Sequence, residues 1–286
     1  MFRASIIVVY FCAICVIGCL LAYPVYIISG ADFERIVSRT ILILAVLLFY
    51  PTCRLLKIDS FASLGFKKAH SSSIAIRSWL LGIAMLLPIS VFFISCGFRL
   101  WEQPPQNLFE SATVVLGAII SAWLIGVIEE TLFRGLLQSQ FSAAFNSFWA
   151  ILIVSILYSS VHFLQVPEFD SNQTIHWYSG FTLLSSAFAN FKNFYTFLDA
   201  WVALFMAGLF LSLVRMRTNN ILWCIGIHAG WVTHIKLFKD FTDRNNSAEC
   251  GIFASSYDRF IGELSAAWIL LILIAWAWLH FRKPSH

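Results

Sequence analysis

The sequence predicts an all-α, polytopic integral membrane protein with about eight transmembrane helices. Three observations carry that expectation. Of the 286 residues, 59% are hydrophobic and only 12% charged, where a soluble domain is roughly a quarter charged. The mean hydropathy is +0.80. Apolar runs recur at about the 20-residue length that spans a bilayer as a helix. The 11 Trp and 28 Phe suit lipid-facing and interfacial positions. A net charge of +4 identifies no partner beyond the lipid bilayer, and the absence of a basic cluster argues against nucleic acid.

The first segment, residues 5–29, holds Cys12, Cys15 and Cys19 on one helix face. No His or carboxylate accompanies them, so they read as small hydrophobes rather than metal ligands. Cys53, Cys96, Cys224 and Cys250 complete the seven, most of them in apolar runs. "VIGC", ending at Cys19, looks like a lipoprotein cleavage box. The flank before it has only Arg3 and the apolar run continues beyond Cys19, which favours an uncleaved first helix. The second segment, 37–53, is short and interrupted by Pro51, and a basic loop follows. The third, fourth and fifth segments are 78–98, 113–140 and 147–165. An insertion at about 166–197, with "VPEFDSNQ" and several aromatics, reads as a loop or a surface-lying helix. The sixth and seventh, 199–215 and 219–237, are joined by "RMRTNN", and the eighth is 263–281. No internal repeat appears. Residues 1–286 form a single transmembrane domain, with two N-terminal helices and the basic loop in 1–77 and a core in 78–286.

Eight spans put both termini on one side. If that side is the cytoplasm, its segments carry Arg3, Arg54, Lys57, Lys67, Lys68, Arg77, Arg215, Arg217, Arg282 and Lys283 against one acid, Asp59, while the opposite side is acid-rich. The expected location is a bacterial inner (cytoplasmic) membrane with both termini cytoplasmic.

The chemistry concentrates in "GVIEETLFRGLL", residues 126–137. On a helix, Glu130 and Arg134 share a face and can pair, lowering the cost of burying both. Glu129 points elsewhere and has no partner on its own helix. A spare intramembrane carboxylate marks a functional site, and desolvation would make it a competent general base. Arg134 is the only Lys or Arg expected deep in a span. Two histidines are expected at matching depth: His162 in "LYSSVHF", one turn after Tyr158, and His228 in "GIHAGWVTH". With Glu129 they fall on the order of 14–22 Å from the cytoplasmic face. His234 lies about 240° around the helix from His228 and is expected to face away.

These three stretches resemble the motifs of the CAAX-protease and bacteriocin-processing family of intramembrane glutamic-type proteases. "EETLFR" matches Glu-Glu-x-x-x-Arg. Tyr158 to His162 matches aromatic-x-x-x-His, with Tyr for the usual Phe. "HAGWV", 228–232, matches the third motif. The resemblance covers about residues 78–280. It implies an intramembrane endopeptidase in which Glu129 and His162 activate a water, His228 helps stabilise the oxyanion, and Glu130 and Arg134 support them, with no cofactor. Some members carry Asn four residues after the third-motif His. Here that residue is Val232, which leaves His228 as the expected side-chain donor, with a backbone N–H, Thr233 or His234 as possible supplements. Val232 also argues against a prenylated substrate.

Zinc bound by His162, His228 and a carboxylate is the runner-up. No HExxH is present, and Glu130 would then act as base only by giving up Arg134. Buried Glu, Arg and His also suit a proton-coupled transporter, but no repeated halves support one. A non-catalytic scaffold or immunity protein is the third class. The expected partner is a membrane-associated or hydrophobic peptide approaching laterally or from the cytoplasm. The sequence does not fix an oligomeric state.

Overall fold

A long apolar run can enter lipid only if its backbone groups are paired internally, and here every such run does so as a helix. The structure is a computed structural model, and it describes residues 2–67, 71–102, 107–164, 167–169 and 174–281. Its helices are α1 (Phe2–Ser29), α2 (Phe33–Leu55), α3 (Ser71–Ser95), α4 (Leu108–Glu130), α5 (Gln138–Ala144), α6 (Ser147–Val161), α7 (Ser179–Ala189), α8 (Leu198–Thr218), α9 (Ile221–Asp240) and α10 (Glu263–Phe281). A π-helical turn, Thr131–Leu137, joins α4 to α5. Each of the eight expected spans coincides with helix. Among the described residues, six helical stretches are long and apolar enough to cross a membrane; α6 and α10 are shorter.

Several segments differ in bounds or form from the sequence expectation. Helix α3 begins at Ser71, so Arg77 lies inside it rather than in the loop. Hydropathy finds where apolar residues start, while a helix continues into the polar interface. Helix α2 runs through Pro51 to Leu55, as transmembrane helices can when neighbouring groups absorb the lost bond. The 166–197 insertion contains α7, which docks on the first two helices. Leu183 sits in one apolar cluster with Ala22, Phe33, Ile36 and Val37.

Helix α9 lies at the centre, against α3, α4 and α8. Its approach to α3 depends on two glycines. A Cβ on Gly82 would collide with the Ile227 carbonyl, and one on Gly230 with the Trp79 carbonyl. Small residues at such crossings are how membrane helices gain dispersion contact. Two apolar clusters flank the buried charges. One gathers Leu86, Phe210, Leu211, Ile227 and Phe260; the other gathers Phe133, Leu136, Tyr158 and Leu204.

At the end of the bundle remote from the basic loops, the chain leaves the all-α pattern. Strands β1 (Arg99–Trp101) and β2 (Thr242–Arg244) pair antiparallel, with Arg99 opposite Arg244. Beside them Cys96 and Cys250 form a disulfide with a Cα separation of 6.4 Å. The expectation that the cysteines act as apolar fillers is therefore corrected for this pair, which a sequence separation of 154 hid. Cys12, Cys15, Cys19, Cys53 and Cys224 are free.

Candidate active site

Helix α4 ends at Glu130, and the π-helical turn starts at the next residue. Such turns occur mostly inside α-helices at functional sites, because they re-aim side chains without breaking the helix. Here the turn delivers Arg134 into the core. Glu130 and Arg134 are both 0% exposed. Arg134 Nη1 donates to Glu130 Oε1 at 2.9 Å, and Nη2 donates to the Gly208 carbonyl at 3.1 Å. The guanidinium also stacks over the Tyr158 ring, 4.4 Å from its centroid. The pair expected from i,i+4 spacing thus forms, on a π turn instead of a regular α-helix.

The sequence did not disclose a third member of this network. His228 Nδ1 lies 2.8 Å from Glu130 Oε1. Glu130 is an acceptor when ionised, so Nδ1 carries the hydrogen and donates it. That orients the ring and turns Nε2 toward Glu129, whose Oε2 is 3.9 Å away.

His162 arrives from the other side. It is the C-cap residue of α6, one residue beyond the helix. The expected segment 147–165 is therefore too long at this end. At 1.5 Å per residue, 15 residues reach only about 22 Å, short of the roughly 30 Å hydrocarbon thickness. A helix that ends within the hydrocarbon needs protein partners for its terminal carbonyls. His162 Nδ1 is 2.7 Å from the Tyr158 carbonyl and must donate to it. The Tyr257 hydroxyl donates to the His162 carbonyl at 2.8 Å. Nε2 of His162 then lies 3.8 Å from Glu129 Oε2. The sequence did not disclose this contact of Tyr257, which lies far along the chain in an irregular stretch.

Glu129, Tyr158, His162, His228 and Val232 line one cavity of about 370 Å³. Glu129 Oε2 is buried there without a hydrogen-bond partner among the described residues. His234 is outside the cavity and lies 2.6 Å from Ser90 Oγ. Thr233 is bonded to the Ala229 carbonyl and to Trp79. Trp231 also lines the cavity, and its Nε1 is buried without a partner among the described residues. His228 is thus not the only potential donor in "HAGWV".

Two further expectations need correcting. Arg134 is not alone as a cation near the site, because Lys236 and Lys239 on α9 line the same cavity. The cavity's course also differs from an approach at the end that carries the basic loops. From Glu129 and His228 it runs past Val232, Ile235 and Lys236 to Lys239, Phe260 and Ile261, toward the end that carries the disulfide.

The family model described as "Type II CAAX prenyl endopeptidase Rce1-like" matches residues 111–234. No curated protein and no solved structure gives a significant match. The matched stretch runs from α4 into α9 and contains Glu129, Glu130, Arg134, His162 and His228, the side chains that the fold brings together. Through residues 111–234, the chain is similar to the Rce1-like, type II CAAX prenyl endopeptidase family.

Proposed function

We propose that the chain is an intramembrane endopeptidase of the glutamic type, hydrolysing an amide bond in a membrane-associated or hydrophobic peptide. The family that residues 111–234 resemble is one of membrane proteases, and the chain's helices make it a multi-pass integral membrane protein. The observation that carries the finer reading is the position of Glu129 Oε2, 3.8 Å from His162 Nε2 and 3.9 Å from His228 Nε2 in one cavity. These gaps are too long for direct hydrogen bonds and suit one bridging water.

In this reading His162, its Nδ1–H committed to a carbonyl, offers the Nε2 lone pair to one water hydrogen. Glu129 accepts the other as a proton while the water oxygen adds to the substrate carbonyl carbon. The displaced carbonyl electron pair becomes an oxyanion. His228 stabilises it as an imidazolium, because Nδ1–H is committed to Glu130 and only the cation carries a hydrogen on Nε2. Charge balance favours that form: Glu129 and Glu130 are matched by Arg134 and His228. When the intermediate collapses, Glu129 returns the proton to the departing nitrogen and the C–N bond breaks, leaving a carboxyl and an amine. Trp231 Nε1 supplies a second donor where Val232 cannot.

Zinc is the second reading, and one feature favours it. Both histidines donate Nδ1–H to a carbonyl or a carboxylate, as zinc-ligating histidines do. The spacing weighs against it. Tetrahedral ligands at 2.0–2.1 Å from zinc stand about 3.3 Å apart, closer than the 3.8 and 3.9 Å found here. No group of three His, Cys, Asp or Glu among the described residues is arranged to hold a metal ion.

Both termini and the basic loops face the cytoplasm of a bacterial inner membrane in this reading. Two independent signs support that direction: the positive-inside asymmetry, and a disulfide at the opposite end, since disulfides persist in oxidising compartments. The test is hydrolysis of internally quenched hydrophobic peptides by the detergent-purified chain. Turnover lost in Glu129→Gln with the fold retained is the expected result. Undiminished turnover in that variant overturns the reading, and the absence of any turnover favours the scaffold or transporter alternatives.

A further inference from the structure

A second cavity, of about 130 Å³, lies at the end of the bundle that carries the basic loops. Arg134, Gln138, Ser142, Ser147, Arg215 and Asn219 are among its walls, and no carboxylate lines it among the described residues. Arg134 and Gln138 are 0% and 5% exposed. Arg134 Nε, Arg215 Nε and Gln138 Oε1 are each buried without a hydrogen-bond partner among the described residues. Unpartnered polar atoms are costly to bury, so three on the residues around one cavity call for an occupant.

Charge selects the occupant. Arg134 is matched by Glu130. Arg215 has no carboxylate partner among the described residues. Its Nη1 donates to Asn219 Oδ1 at 2.9 Å and its Nη2 to the Leu64 carbonyl at 3.4 Å, both neutral acceptors. The guanidinium is held in place there, since Gly65, at φ +99°, packs so closely that a Cβ would collide with Nη2. Helix α6 starts at Ser147 and brings the positive end of its dipole to the same wall. Water would satisfy the hydrogen bonds and leave this charge unbalanced. An oxyanion does both, and an arginine fork with hydroxyls and a helix start is a donor set suited to phosphate. Gln138 Oε1 accepts, so the ligand must also bring a hydroxyl. Hydrogen phosphate carries one on phosphorus, and a glycerol headgroup carries one beside it.

We propose that this cavity binds a hydroxyl-bearing phosphate anion, either free phosphate or the headgroup of an acidic phospholipid. The cytoplasmic leaflet is the anionic one, the basic loops face it in the proposed orientation, and basic recesses between membrane helices hold such headgroups. Arg134 also holds Glu130, so an occupied cavity braces the polar network of the active site. The binding does not depend on whether that site hydrolyses peptides.

The test uses the full chain, delipidated in detergent. Native mass spectrometry counts bound phosphatidylglycerol or phosphatidylcholine, and calorimetry with inorganic phosphate, against chloride at equal ionic strength, reads the free ion. One phosphatidylglycerol or one phosphate per chain is expected, with phosphatidylcholine at least about tenfold weaker because its choline adds a cation beside the guanidinium groups. Saturable binding of phosphatidylglycerol alone identifies the lipid as the source, and of phosphate alone the free ion. Arg215→Gln should weaken binding at least about tenfold. Ser142→Asp, which places a carboxylate in the cavity without touching the Arg215 contacts, should do the same and decides the matter if Arg215→Gln fails to fold. Arg217→Gln, on the same helix but outside the cavity, should leave binding unchanged. Undiminished binding in Ser142→Asp, equal affinity for phosphatidylcholine, or no saturable binding of either anion overturns the proposal.

Discussion

Glu130 Oε1 receives Arg134 Nη1 at 2.9 Å and His228 Nδ1 at 2.8 Å, so one carboxylate oxygen joins a helix to the imidazole of another. The two adjacent carboxylates therefore differ in circumstance. Glu130 is enclosed, with its Oε1 doubly bonded, while Glu129 faces the cavity; the Oε2 of each has no hydrogen-bond partner among the described residues. The proposed division of labour follows, with Glu130 orienting His228 and Glu129 handling the proton.

The first prediction separates them. Glu129→Gln is expected to unfold at nearly the wild-type temperature and to show no turnover. Arg134→Ala strands the Glu130 charge, and breaking a buried pair costs about 3–5 kcal/mol, so its yield and thermal midpoint should fall sharply. Glu130→Gln should lose both stability and activity, because His228 loses its anchor as Arg134 loses its counter-charge. Thermal unfolding in detergent, run beside the peptide assay, reads both effects.

The two histidines of α9 should behave oppositely. His228→Ala removes the oxyanion donor, a loss worth about 2.7–4 kcal/mol in the barrier, and turnover should disappear while the protein still folds. His234→Ala loses its contacts with Ser90, Phe238 and Phe260, away from the reacting groups, and should leave kcat/KM within about twofold. Val232→Asn adds a donor to the cavity wall and should raise the rate or widen the range of peptides cleaved. A silent His228→Ala beside an inactive His234→Ala would reverse the face of α9 assigned to the site.

Tyr257→Phe removes the hydroxyl that holds the His162 carbonyl. The expected stability loss is about 1 kcal/mol, one net hydrogen bond. The kinetic signature should be a fall in kcat with little change in KM, since Tyr257 acts on the reacting geometry through His162. A change confined to KM would mean that Tyr257 shapes substrate binding instead.

Turnover is expected to survive prolonged chelation and dialysis, with less than stoichiometric metal by elemental analysis. One equivalent of zinc per chain, together with activity restored only by adding it, would replace the water-activation mechanism with the metal one.

Cys96 and Cys250 should resist thiol labelling in intact membranes until a reductant is added, and then react with a membrane-impermeant maleimide applied from the non-cytoplasmic side. Cys250→Ser should lower stability by about 2–4 kcal/mol. A reporter fused after His286 should be active in the cytoplasm. A C-terminal reporter found on the disulfide side would overturn the eight-span topology.

Much of this was determined by the sequence alone. Helices are the backbone's only economical state in lipid apart from a closed barrel, so hydropathy pointed to helix in all eight segments, six of the helical stretches among the described residues being long and apolar enough to cross a membrane. Glu130 and Arg134 are neighbours by helical spacing, and the motifs around Glu129, His162 and His228 named the groups to be brought together. The tertiary structure decided what depends on contacts between distant segments. No spacing rule links His228 to Glu130 across 98 residues, or Tyr257 to His162 across 95. The π turn replaces α geometry where Arg134 must reach both Glu130 and the Gly208 carbonyl on α8, a need that residues 126–137 do not contain. The disulfide joins the ends of α3 and the α9–α10 connection, and the course of the cavity toward it follows from how α9 is clasped by α3, α4 and α8. Periodicity reports which side of a helix is apolar; in a chain apolar on nearly every side, packing alone decides which polar groups meet.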